Sequence, residues 1–162
     1  MGRFKPDYYL DDVFLVPYEE LWQRNIRSLI FDIDNTLAAY EDTYPPAKTM
    51  ALIKRLKYMG FKICLLTNNS NARLKLFTNP LAVEGSANAL KPFARGVRKA
   101  IKLMDTKPKH TAIIGDQLLA DIWAGKRAGI TTVLVKPITN KDLFFVRFRR
   151  MVEAWLLKRY YG

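Results

Sequence analysis

The sequence predicts an α/β fold: a doubly wound parallel sheet with helices on both faces. Three observations predict it. Apolar, β-rich runs recur at "SLIFDID", "FKICLLTN", "TAIIGD" and "TTVLVKP", the segments between them carry helical period, and no repeat, low-complexity tract or Gly/Ser linker interrupts the alternation. Near-continuous apolar strands are what a parallel sheet buried on both faces requires.

The elements follow in order. The first run places Ile26, Leu29, Ile30, Phe31 and Ile33 in a strand that ends in acids. "PPAKTMALIKRLKYMG" reads as an amphipathic helix, with Pro46 at its opening, Met50, Ile53 and Leu56 as its apolar residues and Gly60 as its stop. "SNARLKLFTNP" is a second helix, and Asn68, Asn69 and Ser70 are equally good caps for it. "VEGSANA" is a further short strand, and "KPFARGVRKAIKLM" a helix with Val97, Ile101 and Met104 on one face. "QLLADIWAGKRAG" is a helix closing on Gly129. The last segment, about residues 141–161, is a basic amphipathic helix: Phe144, Phe148, Met151 and Trp155 form one stripe, with Arg147, Arg150 and Lys158 on another face beside Arg149 and Arg159.

At 162 residues the chain is read as one domain, 1–162, with enough apolar sequence for its own core. Its single cysteine, Cys64, lies inside an apolar run, which argues against a disulfide framework or thiolate metal site and for a buried core residue. The start of the chain has no apolar core of signal-peptide length, and no run reaches the roughly 18 apolar residues of a membrane span. Pro6 stands where a myristoylation motif wants Ser or Thr. These features predict a cytoplasmic protein, at most peripheral on the inner face of a membrane. The formal charge of +12 suits polyanions: nucleic acid, anionic lipid headgroups or phosphorylated substrates. Charge alone does not choose among them.

In doubly wound sheets, ligands sit at the carboxyl ends of the strands. The polar residues of this sequence collect there: Asp32 and Asp34 after the first run, Thr67 and Asn68 after the second, Lys91 at a helix opening, and Asp116 and Asp121 after "TAIIG". Carboxylates are hard oxygen ligands for Mg²⁺, and a lysine balances phosphoryl charge. Two acids one residue apart allow one to attack phosphorus and the other to shuttle protons. A calcium loop of EF-hand pattern begun at Asp32 fails, because Leu37 and Thr43 stand where Gly and Glu are wanted. Taken singly, each piece has a plainer reading as a cap, a turn acid or a surface lysine, and His110 reads as a solvated loop residue.

"DIDNT", "LLTNN", "LKP" and "GDQLLAD", in that order at the ends of alternating strands, resemble the four motifs of the haloacid dehalogenase superfamily of phosphatases. The resemblance implies Asp32 as nucleophile and Mg²⁺ ligand, and Asp34 as general acid/base with its backbone carbonyl on the metal. It implies Thr67 hydrogen-bonded to the transferring phosphoryl group, Lys91 neutralising that group and orienting Asp32, Asp116 on Mg²⁺, and Asp121 supporting the metal site. The short connections from Asp32 to Thr67 and from Thr67 to Lys91 leave no room for a cap domain, which favours a large substrate. The flap "AAYEDTYPP" is the expected gate, with Tyr40 and Tyr44 reading equally as part of it or as plain surface aromatics.

Further stretches, "FLVPYEEL", "LKLFTNPL", "ALKPFARGVRKAI" and "TTVLVKPI", extend the resemblance to the YqeG-like subgroup, class IIIA, which includes phosphatidylglycerophosphate phosphatases. That implies an anionic lipid headgroup as substrate, in phosphatidylglycerol synthesis. Two readings stand for the last helix: packing on its own sheet, which is preferred for the stripe, or lying in an anionic membrane interface. The alternatives to a lipid phosphatase are an enzyme acting on nucleic-acid ends or a soluble phosphomonoester, and a non-catalytic protein that binds RNA or ribonucleoprotein.

Overall fold

The computed structural model describes residues 4–139 together with Val152 and Trp155. Six strands form one all-parallel sheet: β1 (Tyr8–Leu10), β2 (Ser28–Phe31), β3 (Lys62–Leu66), β4 (Glu84–Ser86), β5 (Thr111–Gly115) and β6 (Thr131–Val135). Their order is β1-β6-β5-β2-β3-β4. The central strands β2 and β5 are buried at every residue, as their unbroken apolar runs require. Five helices complete the described fold: α1 (Tyr18–Gln23), α2 (Ala47–Met59), α3 (Asn71–Leu81), α4 (Arg95–Leu103) and α5 (Trp123–Ala128). Among the described residues there is no separate cap domain.

Two apolar layers flank the sheet. Leu29, Phe31, Leu65 and Ile114 face a core closed by Leu52, Ile53 and Leu56 of α2 and Leu74 and Phe77 of α3. Ile30, Cys64, Leu66 and Ile113 face a second core closed by Val97, Ala100 and Ile101 of α4. The alternation of successive strand residues between these cores is the period of two that a pleated strand imposes. Cys64 is fully buried, as expected.

Four expectations need correction. The buried face of α2 is Thr49, Leu52, Ile53 and Leu56, while Met50 is exposed at its edge. There Met50 lines a shallow groove with Pro80 and Leu81 of α3. The helix expected from Lys91 onward begins at Arg95, because residues 91–94 turn instead, with the Phe93 amide bonded to the Leu90 carbonyl. Of the three candidate caps of α3, Ser70 does the capping: its hydroxyl accepts the Arg73 amide at 3.2 Å. The segment after β5 opens as a π-type turn, Leu118–Ile122, before α5 begins.

His110 is half-buried in a short turn, with Nδ1 2.9 Å from the Asn25 carbonyl, and so is tied down as well as solvated. Phe144, Phe148, Met151 and the cations around them lie outside the described residues. Val152 is helical and packs against Ala120, and the Trp155 ring meets Trp123 at 5.5 Å and Phe93 at 6.4 Å.

Candidate active site

The carboxyl ends of β2, β3 and β5 lie side by side, because β2 pairs with β3 on one edge and β5 on the other. Asp32 is the first residue past β2, and its amide bonds the Ile114 carbonyl of β5 at 3.0 Å. Asp116 is the first residue past β5. Adjacent parallel strands in this register must bring these two acids together. Asp121 joins them from the π-type turn, so that oxygens of Asp32, Asp116 and Asp121 all lie within 4.8 Å of one another.

One lysine binds the cluster. The Lys91 ammonium, 3% exposed, donates to Asp32 Oδ1 at 2.9 Å, Asp121 Oδ1 at 2.5 Å and the Leu66 carbonyl at 3.2 Å. Its backbone is gripped too: the Asn68 side chain accepts the Lys91 amide at 2.8 Å and donates to the Lys91 carbonyl at 3.2 Å. Asn68 therefore fastens the Lys91 turn to the end of β3. Gly115 makes room for Asp121, since a Cβ there would stand 2.3 Å from the Asp121 carboxylate.

The electrostatics follow from packing three acids around one cation with little water. Burial, then repulsion from Asp121 and Asp116, pushes Asp32 well above the usual carboxylate range despite the Lys91 charge. Burial and the Asp121 charge push Asp116 up to about 7, against the hydrogen bonds from Asp32 and from Thr36 Oγ1, the latter 3.0 Å from Asp116 Oδ1. Burial works to deprotonate Lys91, but Asp121 and Asp32 outweigh it and raise its pKa, so the ammonium stays charged. One positive charge among three carboxylates leaves the cluster short of cation, and its oxygens are hard donors. Asp121 is already engaged by Lys91 and, through Oδ2, by the Gln117 amide at 3.2 Å. The set fits a divalent cation, with Asp32 and Asp116 as the carboxylates open to it.

Asp34 stands apart from this cluster. Its side chain turns toward α3, where Oδ1 accepts Arg73 Nη2 at 3.0 Å and Nε at 3.3 Å, and Oδ2 accepts Asn69 Nδ2 at 3.4 Å. Thr67, buried just past β3, accepts the Asn69 amide through Oγ1 at 3.0 Å. The structure thus gathers Asp32, Lys91, Asp116 and Asp121 into one knot, with Asn68 holding the lysine turn. Two partners were not singled out from sequence: Thr36, which lies within "DIDNT", and Arg73, which nothing in its local pattern distinguishes from the exposed cations of a helix start.

A parallel sheet of this order, with acids at the ends of adjacent central strands and a buried lysine across them, defines a class of hydrolase. The profile of the haloacid dehalogenase-like hydrolases matches residues 38–129, and the chain belongs to that family. It is an enzyme of the phosphatase type within it. Among its relatives is "Probable phosphatase YqeG" of Bacillus subtilis, 34% identical over 154 residues, which span 95% of this chain and 90% of that protein. "Phosphatidylglycerophosphate phosphatase 1, chloroplastic/mitochondrial" of Arabidopsis thaliana is 26% identical over 96% of this chain, which spans only 47% of that longer protein. Solved structures share the fold. The cobalt-bound deoxy-D-mannose-octulosonate 8-phosphate phosphatase of Haemophilus influenzae has a TM-score of 0.53 at 18% identity, with 81% of this chain and 89% of that one covered. A subfamily III A hydrolase of the same superfamily from Legionella pneumophila has a TM-score of 0.57 at 16% identity, with 75% and 72% covered.

Proposed function

We propose that this chain is a Mg²⁺-dependent phosphomonoesterase that works through an aspartyl-phosphate on Asp32, with phosphatidylglycerophosphate as its substrate. The observation that carries the chemistry is the Lys91 ammonium held between Asp32 and Asp121 beside Asp116, at the carboxyl edge of the sheet. The Asp32 and Asp116 carboxylates and the Asp34 carbonyl would hold Mg²⁺, which would supply positive charge to the phosphoryl oxygens. In the first step an Asp32 carboxylate oxygen bonds to phosphorus as the ester P–O bond breaks, and Asp34 gives its proton to the departing oxygen. In the second, Asp34 takes a proton from water as that water bonds to phosphorus, which frees inorganic phosphate and restores the Asp32 carboxylate. Lys91 orients Asp32 and balances the phosphoryl charge, while Thr67 donates a hydrogen bond to the group in transfer.

The lipid assignment draws on three supports. The absence of a cap among the described residues leaves the crevice open to a bulky substrate. Leu90 and Phe93, which flank Lys91 and Pro92 in the chain, are 65% and 48% exposed, so apolar side chains stand beside the turn that carries the site lysine. The relatives include a protein named for phosphatidylglycerophosphate hydrolysis. No helix among the described residues is long and apolar enough to cross a membrane, so contact with lipid would be made from the surface.

The test is phosphate release from phosphatidylglycerophosphate in mixed micelles with Mg²⁺, comparing wild type, D32N and a soluble aryl phosphate. Lipid turnover far above aryl phosphate turnover, and lost in D32N, is the expected outcome. Turnover of the aryl phosphate alone would remove the lipid assignment, keep the chemistry and turn attention to phosphorylated nucleic-acid ends. Full activity in D32N would remove the mechanism.

A further inference from the structure

The start of the expected flap, residues 39–42, is a closed turn, and one arginine ties it to an acid of the site. The Asp42 amide bonds the Ala39 carbonyl at 3.0 Å, and the Asp42 carboxylate accepts the Ala39 amide at 2.9 Å, so the turn satisfies its own acid. It offers carbonyls to α3. Arg73 Nη1 donates to the Asp42 carbonyl, and Nη2 faces the Tyr40 carbonyl at 3.2 Å and the Ala39 carbonyl at 3.4 Å. The same guanidinium makes the two bonds to Asp34 Oδ1 already described.

Three features make this more than a surface pair. The Arg73 and Asp34 side chains are 13% and 9% exposed, so the contact is shielded from water. The guanidinium lies 4.8 Å from the centroid of the Phe77 ring, and Ser70 caps the helix turn that carries Arg73, so its approach is set from two sides. A planar fork with five donors can serve a carboxylate and several carbonyls at once, which an ammonium cannot.

We propose that Arg73 is a positioning residue: it aims the Asp34 carboxylate and locks the 39–42 flap to it as one unit, so that the proton donor and the gate move together. The proposal rests on the reading of Asp34 as general acid. General acid catalysis matters most where the leaving group is a poor one, such as an alkoxide, and little where it departs readily, such as dinitrophenolate. A residue that aims the acid must therefore show the same selectivity, whereas one that merely props up the fold lowers both reactions alike.

The experiment measures kcat/KM for glycerol phosphate and for 2,4-dinitrophenyl phosphate in wild type, R73A, R73K and D34N, all with saturating Mg²⁺. This ratio reports the phosphoryl-transfer step and is blind to later attack by water. Expected for R73A is a fall of about 10²-fold on glycerol phosphate against less than about 10-fold on the dinitrophenyl ester, with R73K showing the same pattern at smaller size. R73K carries the test if R73A does not fold. An equal loss on both substrates, or none on glycerol phosphate, overturns the role. Selectivity in D34N without selectivity at Arg73 overturns this inference and leaves the acid standing, whereas its absence in D34N removes the acid and the Arg73 role together.

Discussion

Lys91 is charged, nearly waterless and shared by two acids, so its removal costs more than a contact. Lys91→Met strands Asp32 and Asp121 without their cation in a buried place, and loss of one partner of such a group costs about 3–5 kcal/mol. Chemical denaturation should show that loss along with abolished turnover, whereas a surface lysine such as Lys54 should tolerate the same change. Gly115 gives a separate test of the geometry. A methyl group there would occupy the place of the Asp121 carboxylate, so G115A should lose activity even where thermal unfolding shows a folded protein. Cys64 offers a quieter probe. Burial, and then the Glu84 charge, pushes its thiol up to about 12 against the influence of Lys99. It should resist alkylation at pH 8 in the native protein and react as the chain unfolds.

At one edge of the sheet β1 is only three residues long and pairs with β6 alone, and a side chain supplements that pairing. Asp7 lies just before β1; its amide bonds the Thr132 carbonyl at 3.0 Å, and its carboxylate accepts the Thr132 amide at 2.8 Å and Lys126 Nζ at 3.1 Å. Burial alone would raise the Asp7 pKa, but these donors outweigh it and leave the carboxyl below its ordinary 3.8. A depressed native pKa means that the stabilisation is complete above the unfolded value and is lost as pH falls through the native one. The stability gap between wild type and D7N should hold from neutrality to about pH 5 and close below 3.8, as urea titrations across that range would show. In α3, S70A removes the cap at Arg73 and should cost about 0.5–2 kcal/mol. What was legible at this scale follows from length and period. The four long apolar runs announced their strands, and even "VEGSANA" yielded β4. By contrast β1 is three residues, Tyr8–Leu10, followed at once by acids, and its strand character comes from pairing with β6 rather than from any run of its own. Met50 shows the converse: its spacing from Ile53 and Leu56 suits the stripe, but only the partner helix decides which edge of a stripe is covered.

Taken whole, the chain has a formal charge of +12 while its candidate site gathers three carboxylates, so overall attraction to anions and local acidity stand together. If lipid is the substrate, binding to vesicles containing phosphatidylglycerol should weaken steeply between 50 and 500 mM salt, as the screening length shrinks from roughly 14 to 4 Å. Binding unchanged by salt would assign the contact to apolar side chains instead. The convergence of polar residues at one edge of the sheet was legible because a parallel sheet sends every strand end the same way. The partnership of Arg73 with Asp34 was not, since the two stand on different elements and neither segment names the other. Along the chain β1 precedes the other described strands yet has β6, the last of them, as its sheet neighbour, and Asp32 meets Asp116 only beside β5. A chain made only as far as residue 110 therefore holds Asp32 without Asp116 or Asp121, so the three-carboxylate cluster forms only once β5 and the turn after it are in place.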